Sequence, residues 1–406
     1  MKRARDDEAG ESGGSEASGG EESDGEDAGR VFGAFAGFER SERSLIEHAQ
    51  QKVSKIAPRL LQLLPKGALD ERFGALTACA QANADFVAAA LQFAQDTGMV
   101  GVADDASSGE EGDGAGEPPA SGDAFEAETD ELRAVLHSLV REWSSEGAAE
   151  RAQVFAALVD ELRLRLPPSA GGGALKVLVP GSGLGRLPAE LCAAGYSVEA
   201  SEMSLQMLLV SAFVMNCTCI AEHATEATAT QPSCQPYKVH PFIHQRGNHC
   251  SSEDQLRAVA IPDKSPGDLI GSSPFSTVPG DFLKNYSADD EAGAWDALVS
   301  CFFIDTAPCV LEYIEAFHRL LKPGGLWLNL GPLLFHWAHP DADEDASDER
   351  FARSLELPWS SVREAIIAKG FEIVKEEWRD TTYTENTRSM MQTQYKCIFF
   401  VAIKRS

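Results

Sequence analysis

Apolar residues follow two rhythms along this chain. From residue 38 to about 95 they recur every three or four positions, as in "LIEHAQQKVSKIAPRLLQLL" and "FGALTACAQANADFVAAALQFA", which predicts helices with one buried face. The same spacing returns in "ELRAVLHSLVREWSSEGAAERAQVFAALVDELRLRL" and predicts two more helices. From Lys176 onward the rhythm shortens, and brief apolar runs alternate with helical segments, the order of an open α/β sheet. "KVLVP", "SVEASE", "WDALVSCFFID" and "LLKPGGLWLNLGP" carry the expected strands, and "GFEIVKEEW" with "YKCIFFVAIK" predicts a C-terminal antiparallel pair. Residues 220–280 contain Pro, Ser and His with little periodicity, so a long insertion beside the sheet is expected there. The layout is then a disordered acidic tail over 1–30, a helical N-terminal region over 31–165 with an acidic linker at 102–124, and an α/β domain over 166–406. No internal repeat is present.

Composition sharpens this layout. A chain of 406 residues can form two domains, each with its own core. It has neither an apolar run of membrane-spanning length nor a signal-peptide pattern, so a soluble cytoplasmic protein is expected. "KRAR" at 2–5 resembles a nuclear signal, and a nuclear location is a second option, though four residues are a weak signal. The net charge of −28 is local: stretches 6–27, 104–131 and 341–349 hold 27 of the 63 acids and no base. The remaining 36 acids face 35 bases, which argues against a nucleic-acid-binding surface. Nine cysteines are too scattered for a disulfide framework. Cys217, Cys219, His223, Cys234, His240, His244, His249 and Cys250 include no CxxC pair, so no metal is expected.

Chemistry enters at "KVLVPGSGLGRLPAELCAAGYSVEASE". A strand runs directly into Gly181, Gly183 and Gly185, where side chains would block both a tight turn and the approach of a ligand to the backbone. Glu202 follows Gly181 by 21 residues, at the end of the second strand, where a carboxylate can accept ribose hydroxyls. Arg186 stands where a dinucleotide fingerprint has its last small residue, so a compact adenosine ligand is expected rather than a pyrophosphate.

The strand order, with "LKPGG" ahead of the fifth strand, resembles the S-adenosylmethionine-dependent methyltransferases with a Rossmann-like seven-stranded sheet. Longer stretches narrow the resemblance. "LVPGSGLGRLPAELCAAGYSVEASEMSLQMLLVSAFVMN", "CFFIDTAPCVLEYIEAFHRLLKPGGLWLNLGPLLFHW", "TYTENTRSMMQTQYKCIFFV" and "LVREWSSEGAAER" are similar to the carnosine N-methyltransferase family. The resemblance implies S-adenosylmethionine as cofactor and methylation of the carnosine imidazole at the nitrogen nearest the side-chain attachment, giving anserine. It also implies other histidine di- or tripeptides as substrates and, as an option, a homodimer. Membrane and nucleic acid are not expected partners. Carried over by position, it implies cofactor contacts from Arg141, Gly181, Gly183, Glu202, Asp281, Phe282 and Cys301, the last through its backbone. Asp305, His336 and Tyr395 match the peptide-binding positions. Ser138 and Thr393 depart from the family pattern, which commonly has glutamine and tyrosine there.

The implied chemistry needs alignment more than a strong base. A free imidazole titrates near about 6.5 and is mostly neutral at pH 7, but the correct tautomer must face the methyl. Asp305 could accept the N–H of the non-reacting nitrogen, with His336 and Tyr395 as orienting partners. From the residues alone, Asp305 also fits a cap for a helix starting near Thr306, His336 a satisfied core histidine, and Tyr395 packing in an edge strand. For the whole chain the alternatives are a protein-histidine methyltransferase, a cofactor-binding protein without catalysis, and an NAD-linked oxidoreductase. The missing final glycine and "LKPGG" oppose the last.

Overall fold

The computed structural model describes residues 19–99, 123–168, 173–216, 237–338 and 349–406. Five helices come first: α1 (Gly19–Ser54), α2 (Pro58–Leu61), α3 (Ala68–Asp96), α4 (Asp123–Trp143) and α5 (Ala148–Arg165). Val31, Ala34, Phe35 and Phe38 form a buried stripe on α1, and Leu132, Val135, Leu136, Leu139 and Trp143 form one on α4. This is the i, i+3, i+4, i+7 spacing of one helix face. Each large apolar side chain so buried contributes about 1.5–3 kcal/mol.

α1 begins at Gly19, inside the stretch expected as a tail. Once the turns around Phe35 are packed, lengthening a helix adds hydrogen bonds without a new nucleus. Residues 1–18 and 100–122, which hold the rest of the tail and most of the acidic linker, lie outside the described residues.

The strands are β1 (Lys176–Pro180), β2 (Ser197–Glu202), β3 (Tyr237–Val239), β4 (Val259–Ile261), β5 (Phe275–Pro279), β6 (Trp295–Cys301), β7 (Leu321–Gly331), β8 (Phe371–Thr381) and β9 (Tyr395–Lys404). Seven of them form one sheet in the order β5-β2-β1-β6-β7-β9-β8. The first five in that order are parallel, and β9 is antiparallel to both β7 and β8, as the C-terminal pattern predicts. The chain winds outward from β1 through β2 to β5 and then restarts at β6, on the other side of β1. Connections therefore leave the carboxyl ends of β1 and β6 in opposite directions, and a crevice opens between them.

The insertion expected over 220–280 is corrected by the structure. Residues 217–236 lie outside the described residues. The remainder contains the antiparallel pair β3–β4, a 3-10 turn at Pro241–His244, α8 (Ser252–Leu256), α9 (Pro266–Ile270) and a full member of the main sheet, β5. β5 pairs with β2 from Val198–Phe275 to Glu202–Pro279. It sits at the sheet edge with no residue fully buried, so its apolar alternation is faint and its terminal proline is tolerated.

Among the described residues the helical region shares its core with helices that flank the sheet. The buried faces of α1, α3 and α4 join α6 (Arg186–Ala193), α7 (Leu205–Met215) and the β3–β4 pair in one cluster. Phe86 of α3 meets Phe213 of α7 at 5.5 Å and Tyr237 of β3 at 5.6 Å, both edge-on. One sheet face is covered by α10 (Phe282–Asn285), α11 (Val310–Leu320) and α13 (Trp359–Lys369), which follows the short α12 (Glu349–Ala352). α5 and α6 cover the other face. Among the described residues no helix is long and apolar enough to cross a membrane.

Candidate active site

The glycine turn after β1 is built around close approach. Gly181 and Gly183 have φ of 63° and 56°, in the left-handed region that L side chains disfavour. A Cβ on Gly181 would lie 2.3 Å from Phe303, and one on Gly183 would lie 2.7 Å from Glu142 Oε1. Two carboxylates hold the turn. Glu202 accepts the Gly183 N–H at 2.8 Å on one oxygen, and those of Met203 and Ser204 at 2.8 and 2.9 Å on the other. Burial pushes its carboxyl up from the ordinary range, and the three N–H donors oppose that shift. Glu142, at the end of α4, accepts the Arg186 N–H at 3.1 Å. Trp143 beside it donates its indole N–H to the Leu184 carbonyl at 2.9 Å.

Arg141 comes from the same last turn of α4 and is buried. Its Nε donates to Glu150 at 2.7 Å, and its Nη2 lies 3.8 Å from Cys301 Sγ. The guanidinium faces the rings of Tyr383, Phe155 and Phe302 at 4.5, 4.9 and 5.4 Å. Burial pushes the Cys301 thiol up to about 11 with Arg141 opposing, so the thiol stays protonated near neutral pH. A reactive thiolate is not its role. At the other end of the crevice the Gly280 N–H donates to the Glu202 carbonyl at 2.8 Å. The next residue, Asp281, caps α10 through the Lys284 N–H at 2.9 Å. Phe282 is buried against Tyr286 at 5.1 Å and Phe303 at 5.8 Å.

Asp305 follows β6 in a 3-10 turn and is 2% exposed. Its Oδ2 accepts the Leu334 N–H at 2.8 Å, and its carbonyl accepts the His336 N–H at 3.0 Å. Burial pushes its carboxyl up, while the Leu334 N–H and the nearby His336 pull it back. The helix-cap reading is overturned, because α11 starts at Val310 behind Cys309 and receives no side-chain cap. The core-histidine reading of His336 is overturned too, because that residue is exposed. Tyr395 opens β9 and is half-buried, its ring perpendicular to Phe302 at 6.2 Å.

Tyr395 lines a cleft of ≈ 350 Å³ whose walls are 245–248, from the region expected as an insertion, and residues of the β8–β9 connection, including Tyr383, Asn386 and Thr393. Asp305 and His336 are not in that lining. Phe302, three residues before Asp305 in sequence, borders the cleft, its ring meeting Tyr383 at 4.8 Å. Of the expected residues, Glu202 touches the glycine turn, Arg141 touches Cys301, Tyr395 lines the cleft, and Asp305 and His336 lie outside its lining.

Sequence reasoning missed Glu142, Phe302, Tyr383 and the 245–248 wall. For Glu142 a signal existed, since it adjoins Arg141 in "LVREW". The others are marked by backbone conformation. Among the described residues the non-glycine positions with positive φ are Asn248, Phe302, Phe335 and Thr384. All four border the cleft, the carboxyl end of β6 or His336. Such conformations cost on the order of 1–3 kcal/mol each and persist where the surroundings over-determine them, as at functional sites. No described group of His, Cys, Asp and Glu could hold a metal, and Cys217, Cys219, His223 and Cys234 lie outside the described residues.

Comparison with known proteins gives the family of the chain. The family model for carnosine N-methyltransferase matches residues 121–406. A carnosine N-methyltransferase of Mus musculus is 38% identical over 278 residues, 68% of this chain and 63% of that protein. One from Dictyostelium discoideum is 39% identical over 281 residues, covering 68% of this chain and 54% of its own length. One from Schizosaccharomyces pombe is 33% identical over 272 residues, covering 66% and 69%. The match thus spans less than two thirds of the mouse and Dictyostelium proteins. With the match running through the glycine turn, Asp305, His336 and Tyr395, this chain belongs to the carnosine N-methyltransferase family.

Proposed function

We propose that this protein transfers a methyl group from S-adenosylmethionine to the imidazole of carnosine, giving anserine. The observation that carries the reading is Asp305, a buried carboxylate oriented by the Leu334 N–H at the carboxyl end of β6 and free of any capping duty. The residues fit the cofactor. The glycine turn has no room for a Cβ, Arg141 offers a buried cation for a carboxylate, and Glu202 lies at the end of β2. Three N–H donors already occupy Glu202, which leaves about one of a carboxylate's roughly four acceptor positions for a ribose hydroxyl. When bound, S-adenosylmethionine supplies a methyl already activated on a sulfonium.

The protein's own work is orientation, which can lower a barrier by about 7–11 kcal/mol in well-aligned systems. Asp305 accepts the N–H of the imidazole nitrogen remote from the side chain. That choice of tautomer leaves the lone pair on the other nitrogen, the one to be methylated. As the imidazole becomes a cation, the same carboxylate is its counter-charge. Tyr395 sets the ring's position from the cleft, and His336 meets it from the exposed side.

The test is incubation with methyl-labelled S-adenosylmethionine and carnosine, histidine tripeptides or a histidine-rich protein. Label is expected in a product that co-elutes with anserine. Carnosine left unlabelled under saturating cofactor would overturn the reading.

A further inference from the structure

We infer that Asp263 is a positioning residue for the cofactor: its carboxylate holds Arg151 and Arg186 against the carbonyl end of α4 and so aims Arg141. The inference rests on the methyl-transfer reading above and deepens it with a residue that acts through others, from the stretch expected as an insertion.

The end of α4 is the first support. A helix leaves the carbonyls of its last turn without intrahelical partners, and here that turn carries Arg141 and Glu142. Arg151 of α5 donates through Nη1 to the carbonyls of Arg141 at 2.8 Å and Ser144 at 2.7 Å. Arg186, the first residue of α6, donates through Nη1 to the Glu142 carbonyl at 2.9 Å. The Asp263 N–H donates to the Trp143 carbonyl at 2.8 Å. Two cations at a helix C-terminus also complement its dipole.

The second support is that Asp263 joins these donors. It lies two residues beyond β4, and its oxygens accept from different arginines, Oδ2 from Arg151 Nη2 at 2.6 Å and Oδ1 from Arg186 Nη1 at 2.7 Å. Both arginines are buried. The Arg186 guanidinium also faces the Trp143 ring at 4.9 Å and pairs with Glu190 at 2.8 Å. Arg186 therefore keeps a carboxylate without Asp263, whereas Asp263 is the carboxylate that Arg151 pairs with among the described residues. Burial and the neighbouring Arg186 pull the Arg151 guanidinium down from its ordinary value, and Asp263 opposes both.

Removing that carboxylate leaves a buried cation without its counter-charge and loosens the bond from Arg151 to the Arg141 carbonyl. The guanidinium offered to the cofactor's carboxylate then loses its fixed direction. Glu202, on β2, is held by its own three N–H donors and not by this network. Damage at Asp263 should therefore reach the amino-acid end of the cofactor and spare its adenosine.

The experiment measures, by calorimetry on the full chain, affinity for S-adenosylhomocysteine and for 5′-methylthioadenosine, which lacks the amino-acid end. Asp263→Asn keeps the size of the side chain and removes its charge. It is expected to weaken S-adenosylhomocysteine about 10-fold and 5′-methylthioadenosine by less than about 2-fold, where a hydrogen bond to a charged group lost outright costs about 10- to 100-fold. Arg151→Gln should give the same selective loss, and it supplies the test should Asp263→Asn fail to fold. The double variant should lose no more than the worse single one, because both changes break one ion pair. Equal weakening of the two ligands, or of neither, overturns the inference, since a merely structural role lowers the melting temperature without choosing between them. Additive losses in the double variant overturn it too. Both results leave methyl transfer standing. A wild-type protein that binds neither ligand overturns both readings.

Discussion

The glycine-turn side, proposed for the cofactor, and the cleft side, proposed for the peptide, are assembled differently. On the cofactor side, Gly181, Gly183 and Glu202 lie within about two dozen residues, on one strand–turn–helix–strand unit. Arg141 and Glu142 come from the end of α4, and Asp281, Phe282 and Cys301 from later in the chain. On the peptide side, the cleft needs 245–248, Phe302 and the β8–β9 connection, three segments far apart in sequence. The first side is centred on a local unit constrained by backbone geometry. The second exists only once the sheet has brought distant loops together. Damage to the two sides should therefore separate in experiment.

The largest effect is expected where α4 meets the glycine turn. Trp143→Ala removes a fully buried side chain and its bond to the Leu184 carbonyl, and should cost about 3–5 kcal/mol of stability. Urea denaturation measures it, and a loss under 1 kcal/mol would mean that α4 does not brace the turn.

Asp305→Asn cuts at the chemistry between the two sides. Turnover with carnosine should fall at least about 100-fold, while S-adenosylmethionine affinity changes little. Stability should move the other way. Burial raises the folded-state pKa of Asp305 above its ordinary 3.8, so the folded protein holds this proton more tightly than the unfolded chain. Wild-type stability therefore falls as pH rises from about 3.8 toward the folded-state value, and asparagine, which can still accept from Leu334, removes that loss. The variant should melt at or above the wild-type temperature at pH 7 and lose this advantage near pH 3. A near-normal turnover would remove Asp305 from the mechanism.

Two milder variants sharpen the comparison. Glu202→Ala should weaken S-adenosylmethionine binding by roughly 1.5–3 kcal/mol in calorimetry, with little change in KM for carnosine. Asn386→Ala should do the reverse. It unties the two cleft walls and should raise the carnosine KM by the equivalent of about 1–3 kcal/mol, with cofactor affinity intact. Equal effects of both variants on both ligands would show that the two sides form one coupled unit.

The same contrast explains what could be read from the chain. Helix stripes such as Val31–Ala34–Phe35–Phe38 and the strand "KVLVP" are legible because burial imposes a period on neighbouring residues. The glycines of the turn are legible because a positive φ excludes other side chains at those positions. β5 was absorbed into an expected insertion because an edge strand leaves its side chains exposed and needs no strong pattern. Asp305 stood out as a candidate, yet its sequence fits a helix cap as well. Only the fold, which puts the Leu334 N–H against its carboxylate, distinguishes the two. His336 and Phe302 illustrate the same limit, since nothing adjacent to either states whether it faces core or solvent. Local sequence determined the periodic elements and the glycine turn, because their constraints act between near neighbours. Tertiary structure decided the cleft and the setting of Asp305, because those depend on strand order bringing distant segments to one edge.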